Sequence, residues 1–203
     1  MARKGGDIMK LISFSVSNYR SITRAHKIHL YDLTILVGKN NEGKSNIIKA
    51  ISLSINIIIR NSREYKKLRS MNYIHGDCGM DYLWERDFPI ASQSKTSGSK
   101  NTKFELEFDL SKEELTQFYK VTSSSLSTTD FTIIIEIGPD NIPSIKVSKK
   151  GTSKLNKKTL KVSDFIANNM IFNYIPAIRT EAQAIQLVKD TLSQELKILE
   201  DIF

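Results

Sequence analysis

The stretch Gly38-Lys39-Asn40-Asn41-Glu42-Gly43-Lys44-Ser45 has the residue types and spacing to bind phosphate. It matches G-x-x-x-x-G-K-[ST], and each fixed position has a chemical reason. Glycines let the backbone curl until successive N–H groups point at one anion. A helix beginning at the end of the loop adds unpaired N–H groups and the positive end of its dipole. The ammonium of Lys44 is placed to reach the β- and γ-phosphates, and the Ser45 hydroxyl to ligate Mg²⁺. The expected ligand is a nucleoside triphosphate, ATP with Mg²⁺. Its binding set is Gly38, Asn40, Asn41, Glu42, Gly43, Lys44, Ser45 and Asn46, with Lys44 also in the catalytic role and Ser45 on the metal. A chance match in a chain of this length is expected on the order of 1% of the time. Here the motif also stands between an apolar run and a helix pattern, which is the context it requires.

Those flanking elements must position the loop. Leu33 to Val37 (LTILV) is a continuous apolar run that predicts a strand covered on both faces, feeding directly into Gly38. Lys44 to Arg60 is long and apolar enough for a helix, and its apolar surround predicts burial within the fold. Upstream, Leu11 to Tyr19 alternates apolar residues with serines as a half-buried strand does. A second strand is expected at Ala25 to Leu30, after a short connection through Arg20, Ser21, Ile22 and Thr23.

Downstream the pattern changes. Asn61 to Arg69 is polar and basic, Met71 to Pro89 is aromatic-rich and irregular, and Ala91 to Thr102 reads as a mobile Ser/Lys/Gly-rich loop. Lys103 to Leu110 alternates with Phe104, Leu106, Phe108 and Leu110 on one face. Ser111, with Glu114 three residues on, marks a capped helix start. Phe131 to Ile137 and Ile142 to Ser148 predict a hairpin turned at Gly138-Pro139-Asp140-Asn141. A short segment at Val162 to Asn168 precedes Met170 to Ile175, expected as a last buried strand, and Glu181 to Ile202 patterns as an amphipathic helix. The order predicts an α/β fold: a mixed sheet with helices and an inserted antiparallel β arm. As domains, residues 9–60 hold the strands, loop and helix, 61–169 the inserted block, and 170–203 the final strand and helix. Residues 1–8 read as an extension or tag before Met9.

Composition narrows the class. At 203 residues, 40% hydrophobic and 26% charged, the chain has the make-up of a packed globular domain. No apolar run is long enough to span a bilayer, and no partner membrane is expected; a cytoplasmic protein is the reading. A single cysteine, Cys78, excludes an internal disulfide framework. His26, His29 and His75 lack ligand spacing, and Asp77, Asp81 and Asp87 share no face that suggests a metal pair. The net charge of +8 suits a polyanionic partner. Arg60 to Arg69 holds five basic residues, and Lys146 to Lys161 holds seven lysines and no acid. Either a DNA backbone or a solvated hairpin edge accounts for the second run. Trp84, Tyr82 and Phe88 read as core packing, with adenine stacking the alternative.

Together, Ser17-Asn18-Tyr19-Arg20-Ser21-Ile22 and Gly38 to Asn46 resemble the N-terminal lobe of the ABC-type ATPases of DNA maintenance, the RecF, RecN, SMC and OLD (overcoming lysogenization defect) group. Asn40-Asn41, Asn46, Asp87-Phe88-Pro89 and Tyr174 to Arg179 look most like the OLD branch. The resemblance is specific over the first 60 residues and loose beyond them. It implies a homodimer closed around the nucleotide, DNA as a partner, a nuclease subunit or domain, and work in DNA repair or anti-phage defence. It also implies that Arg20 lies near the nucleotide. Departures matter as much. No Leu-Ser-x-Gly signature follows the arm, no apolar run ends in the Asp-Glu pair of Walker B, and the Toprim carboxylates are missing; Glu136 in Phe131 to Ile137 lacks its preceding aspartate. Gln183 and Gln186 are the candidates for a magnesium-sensing glutamine. The expectation is an ATP-binding N-terminal lobe whose hydrolysis is completed by a missing C-terminal half and by dimerisation. A short ATP-sensing, partner-docking module is the alternative, and a small P-loop kinase a third.

Overall fold

Alternation along the chain builds one antiparallel sheet. A computed structural model describes residues 9–39, 43–63, 82–148, 153–175 and 185. Strands β1 (Lys10–Tyr19), β2 (Ile22–His29), β3 (Thr102–Asp109), β4 (Asp130–Ile137) and β5 (Pro143–Ser148) stand in the order β2-β1-β3-β4-β5. Every pair is antiparallel. β3 enters between β1 and β4, so strands from both sides of the phosphate-binding loop share one sheet.

One face of this sheet is apolar because the period-two pattern puts Phe14, Val16, Phe104, Leu106, Phe108, Phe131, Ile133 and Ile135 on the same side, all buried. Helices cover that face: α1 (Lys44–Arg60), α4 (Lys112–Thr122) and α5 (Thr159–Asn169). Two four-residue helices, α2 (Trp84–Asp87) and α3 (Ile90–Gln93), lie between α1 and β3 in sequence. Phe118 of α4 stands edge-on to Phe165 of α5 at 5.2 Å and tilts over Phe131 at 5.4 Å. The end of α1 is tied to α5 by Asn61 Nδ2 donating to Ser163 Oγ at 3.1 Å and the Arg63 N–H donating to Asp164 at 2.6 Å. The opposite face is polar, with Lys27 and Ser13 both on Glu107 and Lys146 on Glu136.

Local signals were faithful where both halves of an interaction lie close in sequence. α1 runs from Lys44 to Arg60 as its pattern predicts, and most of it is buried or half-buried. Ser111 caps α4, its Oγ accepting from the Glu114 N–H while Glu114 accepts from the Ser111 N–H. The β4–β5 turn closes through Asn141 donating to the Gly138 carbonyl at 3.0 Å. β2 begins earlier than expected, at Ile22, because Arg20 takes a left-handed φ of 51° and Tyr19 pairs with Ile22. The turn is thus Arg20-Ser21 alone. Trp84 packs, stacked on Phe88 at 5.0 Å with its indole N–H on the Lys100 carbonyl.

Two expected strands are corrected. Leu33 to Val37 forms no strand, and Leu33, Ile35 and Val37 are 77%, 72% and 90% exposed rather than covered. Met170 to Ile175 is likewise unpaired, with Ile171 and Ile175 71% and 73% exposed. A strand exists only through a neighbour that pairs its N–H and C=O groups, and the described residues offer neither run such a neighbour. For the same reason the sheet of the described residues is wholly antiparallel.

The chain divides into two compact units, residues 7–171 and residues 1–6 with 172–203. In the second, residues 172–175 and 185 alone are described; Ile185 is helical, and the rest of the helix expected at Glu181 to Ile202, with Gln183 and Gln186, lies outside the described residues. No helix among the described residues is long and apolar enough to cross a membrane.

Candidate functional site

Gly43 opens the site. It precedes α1 at φ 92° and ψ −1°, a left-handed conformation that glycine adopts freely. No side chain caps the helix behind it, and no acid stands in its first turn. By contrast, the first turn of α4 holds Glu113 and Glu114 and is closed by its capping box. The two N-termini therefore differ toward an anion: that of α4 already carries acids and a capping box, whereas the cap of α1 is a glycine with no side chain to offer.

The Lys44 ammonium donates to the carbonyls of Gly38 and Lys39. Ser45 is exposed at the helix mouth. The next residue ties the helix to the β1–β2 turn, Asn46 Nδ2 donating to Ser21 Oγ at 2.9 Å. Gly43 sits against the same turn, since a Cβ there would lie 3.6 Å from both Ile22 Cγ1 and Ser21 Oγ. Of the predicted binding set, Gly38, Gly43, Lys44, Ser45, Asn46 and Arg20 are described; Asn40, Asn41 and Glu42 lie outside the described residues.

Arg20 and Asn46 share a cleft of about 650 Å³ with Ser21, Thr23, Arg86 and the Phe88–Ala91 segment. Behind this wall is Asp87, a buried carboxylate that composition and spacing did not single out as a functional group. Arg20 Nε donates to its Oδ1 at 2.8 Å, and Arg86 donates through Nε at 3.1 Å and Nη2 at 2.6 Å. The Leu83 N–H supplies a further bond at 3.1 Å. Burial pushes the Asp87 carboxyl up, but the bonds from Arg86, Leu83 and Arg20, with the charge of Arg20, together hold it below its ordinary value. Burial also pushes the neighbouring Tyr19 hydroxyl up to about 12, against the lowering charge of Arg20, whose guanidinium lies 5.4 Å from the ring centre.

Other candidates go elsewhere. Glu136 is on the polar face of the sheet, paired with Lys146 at 2.7 Å, and serves the hairpin. Within the lysine run, Lys158 donates to the Ser123 carbonyl and to Ser124 Oγ, while Lys149 and Lys150 lie outside the described residues, as do Cys78, Asp77 and Asp81. Among the described residues no group of three or more His, Cys, Asp and Glu side chains is placed to hold a metal ion.

The donor set at the head of α1 suits a polyphosphate: a left-handed glycine, uncapped helix N–H groups, an ammonium and a hydroxyl, with no acid in the turn. Comparison with solved structures finds likeness to an SMC ATPase described for its ATP-driven dimerization and DNA-stimulated activation, at 16% identity and a TM-score of 0.49, over 95% of this chain and 99% of that one. The Smc head domain with a coiled coil and joint from Pyrococcus yayanosii is 17% identical at a TM-score of 0.49, over 81% of this chain and 26% of that one. One from Pyrococcus furiosus, with an extended coiled coil and bound to the C-terminal domain of ScpA, is 16% identical at 0.48, over 81% and 34%. No curated protein matches the chain. The AAA ATPase domain family matches residues 9–200, which is nearly the whole sequence, and the chain belongs to that family of nucleotide-binding ATPases.

Proposed function

We propose that this chain is the Mg-ATP-binding N-terminal lobe of an OLD-like ATPase that acts in DNA repair or in defence against phage. The observation that carries ATP binding is the head of α1, where a left-handed Gly43 leads into an uncapped, acid-free first turn bearing Lys44 and Ser45. The loop backbone from Gly38 to Gly43 would cradle the phosphates, with Lys44 leaving the Gly38 and Lys39 carbonyls to meet the outer ones. Ser45 would hold Mg²⁺, whose charge, when bound, offsets that of the phosphates.

Hydrolysis is a separate matter. It needs a carboxylate to organise the metal and orient water, and Glu136 is committed to the hairpin. We attribute that carboxylate to further protein: a C-terminal half joined through the exposed Leu33–Val37 run, and a second copy closing over the nucleotide. The exposure of three apolar side chains in five residues supports an added strand there, because such a run otherwise leaves both its apolar surface and its backbone groups to water. The OLD assignment and the DNA role rest on the motif resemblance described above.

Mg-ATP binding and turnover by this chain, beside Lys44→Ala, test the proposal. Binding by the wild type, lost in the variant, with negligible turnover in both, is the expected result. A wild type that binds no Mg-ATP would refute nucleotide binding by this lobe on its own. Robust Lys44-dependent turnover would refute the need for further protein.

A further inference from the structure

Asp87 is a buried carboxylate whose donors include two arginines that reach the surface. Four donors converge on its two oxygens: Arg20 Nε, Arg86 Nε, Arg86 Nη2 and the Leu83 N–H. That fills the acceptor capacity of a carboxylate. Its side chain is 1% exposed, whereas those of Arg20 and Arg86 are 28% and 51% exposed and line the cleft beside α1. The backbone adds a second tie, the Arg20 N–H donating to the Asp87 carbonyl at 2.5 Å. A buried anion thus anchors two cations that reach the surface on the same side, next to the turn that touches Gly43 and Asn46.

Arg20 uses Nε on Asp87, and its guanidinium carbon lies 5.4 Å from the centre of the Tyr19 ring. With Nε engaged, the terminal Nη groups are the part of the fork that a ligand can meet. A long arginine side chain otherwise loses rotamer freedom on binding, so one held in advance binds an anion at lower entropic cost.

We infer that Asp87 is a positioning residue for the nucleotide site, holding Arg20 in the cleft wall so that its terminal amino groups meet an anionic group of the bound nucleotide. This rests on the proposed nucleotide site at Lys44. The negative charge of Asp87 acts through Arg20 and does not itself approach the ligand, with which it would be repulsive. Arg86 shares the anchor and keeps the carboxylate ionised. The segment carrying Trp84, Asp87 and Phe88 is thereby joined to nucleotide binding although it lies far from the loop in sequence.

The test is a double-mutant cycle on the 203-residue chain, reading Mg-ATP affinity by calorimetry and folding by circular dichroism. Arg20→Ala should weaken binding about ten- to a hundredfold, the range of one charge-assisted contact. Asp87→Asn should weaken it to a similar degree, and the double variant should be no weaker than Arg20→Ala alone. Multiplying effects would mean Asp87 acts on the site by some route other than Arg20, and would overturn the inference. So would a folded Asp87→Asn that binds as wild type. Should Asp87→Asn not fold, Arg20→Lys keeps the charge but has neither the Nε–H that bonds Asp87 nor the paired terminal amino groups; a loss like that of Arg20→Ala supports the inference, and wild-type affinity overturns it. Lys44→Ala runs beside these. If it too binds as wild type, the nucleotide-site reading itself has failed; if it alone loses binding, only the role of Asp87 and Arg20 has.

Discussion

Replacing Gly43 with alanine separates backbone conformation from contact at the mouth of α1. The added Cβ would lie 3.6 Å from Ile22 Cγ1 and Ser21 Oγ, ordinary van der Waals separation, so it meets no steric barrier. What remains is the φ of 92°, which an L-residue adopts at a cost of about 1–2 kcal/mol. That cost must appear somewhere. If the variant keeps the native turn, its stability falls and Tm drops by about 2–8 °C for a domain of this size. If instead the loop relaxes to a negative φ in the free protein, Tm holds and the cost moves to binding, where it weakens Mg-ATP affinity by about 5- to 30-fold. Thermal melts and calorimetric titration on the same preparations give both readings. Gly98 is the control: its φ is 101°, a Cβ there meets nothing within 4 Å, and it lies in the loop before β3. Gly98→Ala should lower Tm by a similar amount and leave affinity alone. A Gly43→Ala protein with both wild-type Tm and wild-type affinity would refute the reasoning.

Phe104→Ala removes a fully buried ring that stacks on Phe14 at 6.4 Å and meets Tyr19 edge-on at 5.6 Å; the expected loss is about 3–5 kcal/mol, read as a fall in denaturant midpoint with unchanged slope. Ser111→Ala abolishes the capping box of α4 and should cost about 1 kcal/mol, or a Tm lower by about 2–4 °C, while nucleotide affinity stays the same. Asp87 gives a pH signature: because its folded value lies below 3.8, its stabilisation is complete above that pH and is lost as pH falls through the folded value. The Tm gap between wild type and Asp87→Asn should therefore be full near about pH 5 and narrow toward about pH 3; a gap that widens on acidification would contradict the ionised clamp.

What the sequence by itself determined is whatever depends on neighbours a few residues away. The extent of α1, the Ser111–Glu114 cap and the β4–β5 turn are all short-range, and each was legible from residue type and spacing. Alternation likewise assigned the buried face of β3, because side chains in a strand change sides at every residue. Tertiary structure decided the rest. Leu33–Val37 and Met170–Ile175 read as buried strands from their apolar character, but pairing depends on a neighbour that apolar character cannot name, and both stand exposed. Asp87-Phe88-Pro89 carries part of the family resemblance, but its spacing gives Asp87 no role. The partner that makes Asp87 an anchor is Arg20, 67 residues earlier in the chain, and only the packing of the α2 turn against the β1–β2 turn brings the two charges together. A buried carboxylate is stable only where such donors surround it, so its role is set by the fold and not by the residues beside it.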